Sequence, residues 1–347
     1  MTSLLVQESV EINESSELTP EAVALLERVV WGTEGARYTL TDIEPTLRHL
    51  PDPVYLALKK DQKLIGLRMF IEKRARWNDR QLHSFYHSFF AIDPAEKGKG
   101  YGKKLAHATV ERLRRKLKER GLIYCHVEAD NLRSLKIAES LGYQRAGNFS
   151  VMAFSRFFPK SSNRVGRLAV DQKPQALKNL EDQYAGHALT DFPLSLQTGS
   201  YYVLADGDRL LAGVQAEPQR WKIHSLAGAG GATALHALPH IPLLRDLFNP
   251  KDFRFLKFGN VFFDEHRPEY VYELFEAVLA QHGLKTAMMF WDKESPVFKK
   301  FAAAGHLGIL NALTETPVHI LALFQGFESY QVADFTSRPK VISPSDI

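Results

Sequence analysis

A loop rich in glycine and lysine, AEKGKGYGKK at residues 95–104, constrains the fold of this chain more than any other segment. Its three glycines let the backbone turn tightly and approach a ligand, because glycine carries no Cβ. An apolar, β-like run, Leu82–Ile92, precedes the loop, and apolar residues with helical spacing follow it over residues 106–117. The segment therefore predicts a strand, a tight turn and the N-terminus of a helix.

The predicted helix start makes this loop a candidate anion site. Amides at a helix N-terminus point outward together, and the positive end of the helix dipole favours a phosphate or pyrophosphate. A P-loop would place Ser or Thr after Gly-Lys, whereas Lys104 follows Lys103 here. A Rossmann fold would begin with a parallel strand, whereas an antiparallel meander precedes this loop. A surface turn without a ligand is the remaining alternative at this point.

The rest of the first half predicts a mixed arrangement of strands and helices. A helix begins after Thr19, where a capping residue, a proline and an acid follow one another. A charged turn at residues 59–63 joins two β-like runs into a hairpin, and a third run completes the meander. The predicted strands are Leu4–Ile12, Val54–Leu58, Leu64–Ile71, Leu82–Ile92, Leu122–Val127 and Ser150–Phe157, and helices are predicted at Gly102–Arg120 and Leu132–Leu141.

The second half repeats this order of elements. Gly121 and Gly142 bracket a strand and a helix at a separation of 21 residues, and Gly283 and Gly305 do so at 22. An internal duplication is therefore predicted, although many α/β folds share this order of elements. The length of 347 residues also suits two domains of about 100–200 residues. The predicted boundaries are residues 1–158 for a first domain, 159–167 for a linker, 168–327 for a second domain and 328–347 for a polar C-terminal tail.

Two segments together resemble a known family. FAIDPAEKGKGYGKKLAHATVERL at residues 90–113 resembles the coenzyme-A-binding motif of the GNAT N-acyltransferase superfamily, in which Arg/Gln-x-x-Gly-x-Gly/Ala opens a helix. Lys97, Gly100 and Gly102 stand at those positions, with Lys97 in place of the commoner Arg or Gln. ADNLRSLKIAESLGYQRAG at residues 129–147 is similar to the family's second motif, aligned without a gap at Asn131, Ser134, Glu139, Gly142 and Tyr143.

The resemblance covers roughly residues 4 to 157 and implies a fold for the whole chain. It implies an α/β (α+β) class with two tandem GNAT-like domains, each a mixed, mostly antiparallel twisted sheet flanked by helices. The second domain is expected to be degenerate, because its corresponding loop, FFDEHRPEY, has no glycine and carries Pro268, which has no N–H to donate. Its expected roles are to wall the acceptor site, to pair with another chain as a homodimer, or to bind an unrelated ligand.

The resemblance also implies a cofactor, acetyl-CoA or coenzyme A, and direct transfer of the acetyl group to a primary amine. The loop amides would bind the pyrophosphate, and the backbone near residue 91 would pair with the pantetheine arm and stabilise the thioester oxyanion. The acceptor is expected to be a small-molecule or peptide amine. The cofactor-binding residues implied are Phe90, Ala91, Ile92, Lys97, Gly98, Lys99, Gly100, Tyr101, Gly102, Lys103, Asn131 and Ser134.

The positions at which the family usually places its base and acid depart from the pattern here. The usual Glu position is Ser88, and the Tyr that commonly donates a proton is replaced by Ala138. Counting back in twos from the end of the strand places Tyr86 and Ser88 on the face of Phe90, where they could order a water chain. These two residues are the catalytic candidates.

Other groups stay open as catalytic alternatives. His87 would reach the site only if a β-bulge changed the register of the strand. For the acid, Tyr143, His126 and Tyr124 are candidates. A second function remains open as well, a CoA-binding regulatory or interaction protein with little or no turnover.

Composition narrows the classes of function that remain possible. A formal charge of +4, from 44 Lys and Arg against 40 Asp and Glu, argues against a nucleic-acid binder, although ten basic residues lie between Lys97 and Arg120. Cys125 is the single cysteine, so no internal disulfide is expected, and the histidine spacing predicts no metal site. Without an apolar N-terminal signal pattern or an apolar run of about 18 residues, we expect a cytoplasmic protein that does not enter a membrane.

Overall fold

The computed structural model describes residues 9–33, 36–48, 50–78, 80–197, 199–226, 229–303, 305–313 and 317–346. The strands are β1 (Val10–Ser15), β2 (Arg37–Leu40), β3 (Val54–Lys60), β4 (Lys63–Trp77), β5 (Arg80–Ile92), β6 (Gly121–Glu128), β7 (Gln144–Ser155), β8 (Val165–Arg167), β9 (Tyr201–Asp206), β10 (Arg209–Ser225), β11 (Phe253–Phe263), β12 (Thr286–Trp291) and β13 (Pro317–Gln325). The helices are α1 (Pro20–Arg28), α2 (Ile43–Arg48), α3 (Tyr101–Leu117), α4 (Leu132–Ser140), α5 (Lys173–Gln183), α6 (Phe192–Ser195), α7 (Ala229–Ala237), α8 (Pro242–Leu247), α9 (Glu269–Gln281), α10 (Pro296–Ala303) and α11 (Ser329–Ser337).

Across the described residues, the strands form one sheet in the order β1-β3-β4-β5-β6-β13-β7-β12-β11-β10-β9-β8, with β2 added against β10. All neighbours are antiparallel except two parallel pairs, β5 with β6 and β11 with β12. The two halves therefore repeat one pattern, in which a meander leads through a helix to a parallel strand. This mixed, mostly antiparallel sheet confirms the predicted fold class.

The two halves exchange their last strands. β13 lies between β6 and β7 and pairs with both, so the last strand of the second half enters the sheet of the first. β7, the last strand of the first half, pairs in turn with β12. Because each half contributes a strand to the other's sheet, the two halves share one continuous hydrogen-bonded sheet. The predicted domain boundaries stay a prediction.

Helices cover both faces of the first half of the sheet. On one face, α3 buries the apolar stripe expected from its spacing, with Leu105, Leu113 and Leu117 packed on strands β3 to β6. On the other face, α1 and α2 bury Leu25, Leu26 and Leu47 against β4. Thr19 caps α1 by accepting a hydrogen bond from the amide of residue 22, as the sequence predicts. This packing of helices on both faces leaves the tip of β5 and the loop before α3 at one end of the sheet.

The structure departs from the predicted elements in three places, and one predicted strand lies largely outside the described residues. A short strand, β2, precedes α2 and pairs with β10 of the other half. The final three residues of the predicted linker form β8, which pairs with β9. The predicted first strand, Leu4–Ile12, lies largely outside the described residues, and β1 begins at residue 10. The predicted polar tail instead contains α11 and a buried segment at residues 341–343.

Among the described residues, we find no helix with the length and apolar character needed to cross a membrane.

Candidate active site

A gap between two parallel strands creates the site. β5 and β6 pair only from Ser84 with Leu122 to Tyr86 with Tyr124, and beyond that point the two strands diverge. A cavity of about 740 Å³ opens there, lined by residues from both strands, from α4 and from the second half. Since the strands beyond residue 86 no longer pair with each other, their backbone groups can bond to a ligand instead.

A β-bulge lies at the edge of this gap. Met69 pairs with Ser88 and Leu67 pairs with Ala91, so two residues of β5 oppose a single residue of β4. Phe89 occupies the left-handed region at φ 48°, a conformation that is uncommon for an aromatic residue. Strain of this kind persists where the surrounding structure enforces it and is concentrated at functional sites.

Because of the bulge, the predicted face of Phe90 is wrong. A regular strand would place Phe90 on the face of Ser88 and Tyr86, but the extra residue reverses the alternation at that point. Phe90 instead shares the α3 face with His87, and the Arg68 guanidinium contacts both of their rings. Tyr86 and Ser88 line the same cavity from the opposite face of the sheet.

The glycine-rich loop lies on the α3 face, at the mouth of the gap. Gly98 and Gly100 have φ of 86° and 85°, and Gly100 is the N-cap of α3. A Cβ on either glycine would meet open space, whereas one on Gly102 would come 3.6 Å from the ring of Phe90. The loop therefore presents bare backbone and the amides of a helix N-terminus to solvent beside the gap, an arrangement that fits a phosphate group.

The side chains around the loop are exposed and basic. Lys97, Lys99 and Lys103 extend into solvent, and Lys99 pairs with Glu96 at 3.0 Å. Asp93 caps the turn by accepting a hydrogen bond from the amide of Ala95 at 3.0 Å. Their ammonium groups are therefore free to move through solvent to pair with an anion bound to the loop amides.

Helix α4 forms another wall of the cavity. Asn131 is its N-cap, and its Oδ1 accepts a hydrogen bond from the amide of Ser134 at 3.1 Å. Both residues line the cavity, as do Phe90, Tyr86 and Ser88. The structure thus gathers these five predicted site residues around one cavity, with the loop and Ile92 beside it.

A buried hydrogen-bonded chain lies on the α3 face of the gap. The Nη2 atom of Arg68 is 2.5 Å from Nδ1 of His87, and Nε2 of His87 is 2.6 Å from the hydroxyl of Tyr143. Burial, followed by the positive charge of Arg68, lowers the pKa of His87 well below its usual value. Burial raises the pKa of the Tyr143 hydroxyl well above its usual value.

The opposite face holds a second polar cluster. Asp346 is 1% exposed, pairs with Lys73 and accepts a hydrogen bond from the Tyr124 hydroxyl at 3.2 Å. His126 lines the cavity and bonds to the backbone of Asp346, and its Nδ1 is buried without a partner among the described residues. Burial lowers the pKa of His126 to about 4, so the imidazole is neutral at physiological pH.

Sequence reasoning missed Arg68, Lys73 and Asp346 as members of the site. Arg68 and Lys73 stand inside a strand that mixes apolar and charged residues, and in such a strand charged side chains are expected on the solvent face. Their burial, at 8% and 3% exposure, is the signal that marks them, and it appears only in the folded chain. Asp346 lies in the segment predicted to be a polar tail.

The second half contains an equivalent gap that its own chain fills. β11 and β12 pair only between residues 256–258 and 287–289, and Asn260 has a φ of 47° at a bulge like that of Phe89. Beyond the pairing, a Cβ on Gly259 would lie 2.5 Å from Pro344 Cδ, and Asp292 accepts the Lys340 amide at 2.8 Å. The C-terminal segment therefore bridges the two diverging strands, where the first half has a cavity.

Comparisons with known proteins agree with this geometry. Residues 20–143 match the model of the Acetyltransferase (GNAT) family. Over these residues the first half of the chain is similar to a GNAT domain, which confirms the predicted resemblance. A search of curated protein sequences finds no match.

Solved structures extend the likeness to the second half. Saccharomyces cerevisiae N-myristoyltransferase with bound myristoyl-CoA is 9% identical, over 92% of this chain and 84% of its own, with a TM-score of 0.62. A GCN5-related glucosamine N-acetyltransferase region of a fungal multi-domain GH3 β-N-acetylglucosaminidase is 12% identical, over 92% of this chain and 38% of its own, with a TM-score of 0.55. At such identities the likeness concerns the fold, and it supports two tandem GNAT-like units.

The described part of the chain contains no group of three or more His, Cys, Asp or Glu side chains placed to hold a metal ion.

Proposed function

We propose that this protein is an N-acetyltransferase that takes the acetyl group from acetyl-CoA in the first half and passes it to a primary amine. The observation that carries this proposal is the position of the glycine-rich loop, beside a gap between parallel strands and next to a bulge. A thioester drawn along this gap would have its phosphates on the loop amides and its carbonyl near the backbone of Phe90. The acceptor amine would attack from the part of the cavity that faces the second half.

The cavity wall on the acceptor side comes from both halves. Tyr38 of β2 stacks on Trp221 of β10 with ring centroids 4.1 Å apart, and both line the cavity. Glu128 lies on the same wall, and burial raises the pKa of its carboxyl. A wall with aromatic and ionisable groups suits an amine that carries further polar atoms, such as a small amine or a peptide.

Deprotonation of the amine needs a group on the acceptor side of the cavity, on the face of the sheet opposite α3. Tyr86 and Ser88 line that face and, with their hydroxyls adjacent, could order a water chain to the amine. An amine with a pKa near 10 is mostly protonated at neutral pH, so this step is required before attack. We retain these two residues as the catalytic candidates for it.

Calorimetric titration with acetyl-CoA tests the proposal directly. We expect Gly100→Ala to weaken binding about tenfold or more, or about 1.4 kcal/mol, because its Cβ would enter the space beside the loop amides. Gly207→Ala is the matched control, since Gly207 also has a positive φ and open space around it, in the β9–β10 turn. Equal affinity of both variants and the wild type would contradict a pyrophosphate site on this loop.

The donor and the turnover need separate measurements. We expect free thiol release from acetyl-CoA with members of an amine panel, and less release from myristoyl-CoA. A preference for myristoyl-CoA would retain the N-acyltransferase and replace the acetyl donor. The second candidate is a CoA-binding regulatory protein, which Ser88 and Ala138 at the usual base and acid positions favour. Tight acetyl-CoA binding without thiol release for any amine would select that candidate.

A further inference from the structure

The cavity continues from the catalytic candidates across the sheet into the second half. On the face opposite α3, the ring centroid of His126 lies 5.1 Å from that of Tyr86 and 4.8 Å from that of Phe149 on β7. The ring centroid of Phe149 is in turn 5.9 Å from that of Phe290 on β12. All four side chains line the cavity, so a continuous row of rings joins the two halves.

The strand register places further lining residues on this same face. Val318 of β13 is paired with Glu128 of β6 on one side and with Phe149 on the other. Val151 of β7 is paired with Phe290, and alternate residues of a strand share a face. The residues of β13, β7 and β12 that line the cavity form what we call the apolar floor, and they are Phe149, Val151, Met288, Phe290 and Val318.

The apolar floor has a polar end in each half of the molecule. In the first half it begins at Tyr86, Ser88 and His126, where the acceptor amine would be deprotonated. In the second half Met288 is paired with Lys257 of β11, which also lines the cavity and is 2% exposed. From β6 to β12 the floor crosses three strand spacings, or about 14 Å. A straight alkyl chain of about the length of dodecylamine would span that distance.

More apolar side chains line the cavity from elements that join the two halves. Leu40 of β2 and Ile43 of α2 line it, as does Leu226, which follows β10. The stacked rings of Tyr38 and Trp221 link β2 to β10. An apolar group in this part of the cavity therefore has apolar neighbours from both halves, and its transfer from water is favoured.

A peptide would fit the apolar floor poorly. Along these residues the backbone groups of β6, β13, β7 and β12 already pair with one another. A peptide crossing the floor would therefore bury backbone N–H and C=O groups that the sheet cannot satisfy, which is costly. An alkyl body has no such groups.

We propose that the acceptor is an amphipathic primary amine whose amino group lies beside Tyr86 and Ser88 and whose long alkyl body lies on the apolar floor. This inference rests on the proposed function and names the class of its acceptor. As the C–N bond forms and the C–S bond breaks, the ammonium group loses two protons. One of them ends on the thiol of CoA and the other is released to solvent, and the product is an N-alkylacetamide.

The dependence of the rate on chain length tests this inference. We measure kcat/KM from thiol release with acetyl-CoA and straight-chain primary amines from butylamine to hexadecylamine, each below its critical micelle concentration. We expect kcat/KM to rise about threefold for each added methylene group. The rise should end near dodecylamine, where the chain reaches Lys257. Equal kcat/KM across the series, or a preference for peptides with an apolar N-terminal residue, would overturn the inference.

Two substitutions on the floor test where the alkyl body lies. Val151→Phe on β7 should end the rise at a shorter amine than Met288→Trp on β12, because β7 is one strand spacing, about 4.8 Å, nearer to β6. The readout is kcat/KM relative to that with butylamine, which cancels a general loss of activity. Val170→Phe is the matched control, since Val170 is 80% exposed, and it should retain the wild-type profile. An end point that neither floor variant changes would overturn the inference.

The wild-type series also separates this inference from the function on which it rests. If a floor variant does not fold, as judged by thermal unfolding, the wild-type chain-length profile decides the question. Thiol release with butylamine that does not increase with longer amines would contradict the alkyl subsite alone. Absence of thiol release with every amine would contradict the proposed function.

Discussion

The two halves of the molecule contain the same gap between parallel strands but treat it differently. In the first half the gap is a cavity beside a glycine-rich loop, and in the second it is crossed by residues 340–344. Both halves retain the bulge, at Phe89 and at Asn260. A bulge alone is therefore not a mark of catalysis, because the fold keeps it even where the C-terminal segment of the chain crosses the gap.

The polar chain is also restricted to one half. Aligned on the two bulges, His87 corresponds to Phe258, and Arg68, which opposes the first bulge, corresponds to Val214. Both residues of the second half are buried in its apolar core. At the second bulge the side-chain amide of Asn260 is hydrogen-bonded within the protein. Its Nδ2 donates to Ser195 Oγ at 2.7 Å and to Gln215 Oε1 at 2.8 Å. The second half thus has the geometry of the site without its chemistry.

The largest expected effect concerns the C-terminal segment. This segment crosses the second gap and then places Asp346 in the buried polar cluster beside the first gap. Lys73→Met removes the cation from the buried pair with Asp346 and leaves a carboxylate without its charge partner. We expect a loss of about 3–5 kcal/mol in the free energy of unfolding, measured by chemical denaturation. The exposed pair of Lys300 with Glu265 is the control, and Lys300→Met should cost less than about 1 kcal/mol. Equal losses of unfolding free energy in the two variants would mean that the Lys73–Asp346 pair does not anchor the C-terminal segment beside the first gap.

A second effect, of comparable order, depends on pH and involves one histidine in each half. Burial lowers the folded-state pKa of both His126 and His187 to about 4, whereas an unfolded histidine titrates near its usual 6.5. Between these values the unfolded chain binds more protons, so stability falls as the pH drops from about 6.5 to 4. Each histidine should contribute on the order of 3 kcal/mol over this window, which His126→Gln or His187→Gln would remove. A pH profile that neither substitution flattens would refute the burial of these imidazoles.

A smaller effect tests whether the second gap is closed. Gly259→Ala places a Cβ 2.5 Å from Pro344 Cδ, so the C-terminal segment must shift. We expect a loss of about 1–3 kcal/mol in stability by thermal unfolding, with little change in acetyl-CoA affinity. A variant as stable as the wild type would indicate that this gap has room for a ligand after all.

The smallest effect on stability is expected at the open gap. A Cβ at Gly102 would lie at ordinary contact distance from Phe90, so Gly102→Ala should change the unfolding free energy by less than about 1 kcal/mol. Its acetyl-CoA affinity should nonetheless fall, because the methyl group occupies the approach to the helix N-terminus. An affinity equal to that of the wild type would place the ligand elsewhere.

Local patterns predicted the loop and the elements around it well. The glycines, the stripe of α3 and the cap of α1 depend on neighbours within one or two turns, so the sequence contains their determinants. The bulge was not predictable by counting in twos, because it depends on how β4 and β5 pair. The position of Phe90 on the face of His87 followed from that pairing. The contact of His87 with Tyr143 joins residues 56 positions apart in the sequence.

The sequence by itself determined the two-part organisation, the resemblance of the first half to a family and the loop suited to an anion, since all three follow from motifs and periodicity along the chain. Only the tertiary structure decided that β13 enters the first sheet, that the tail closes the second gap and reaches Lys73, and that Arg68, His87 and Tyr143 meet. Those contacts join residues far apart in sequence. They are selected by strand pairing and burial of the whole chain, which no local pattern records.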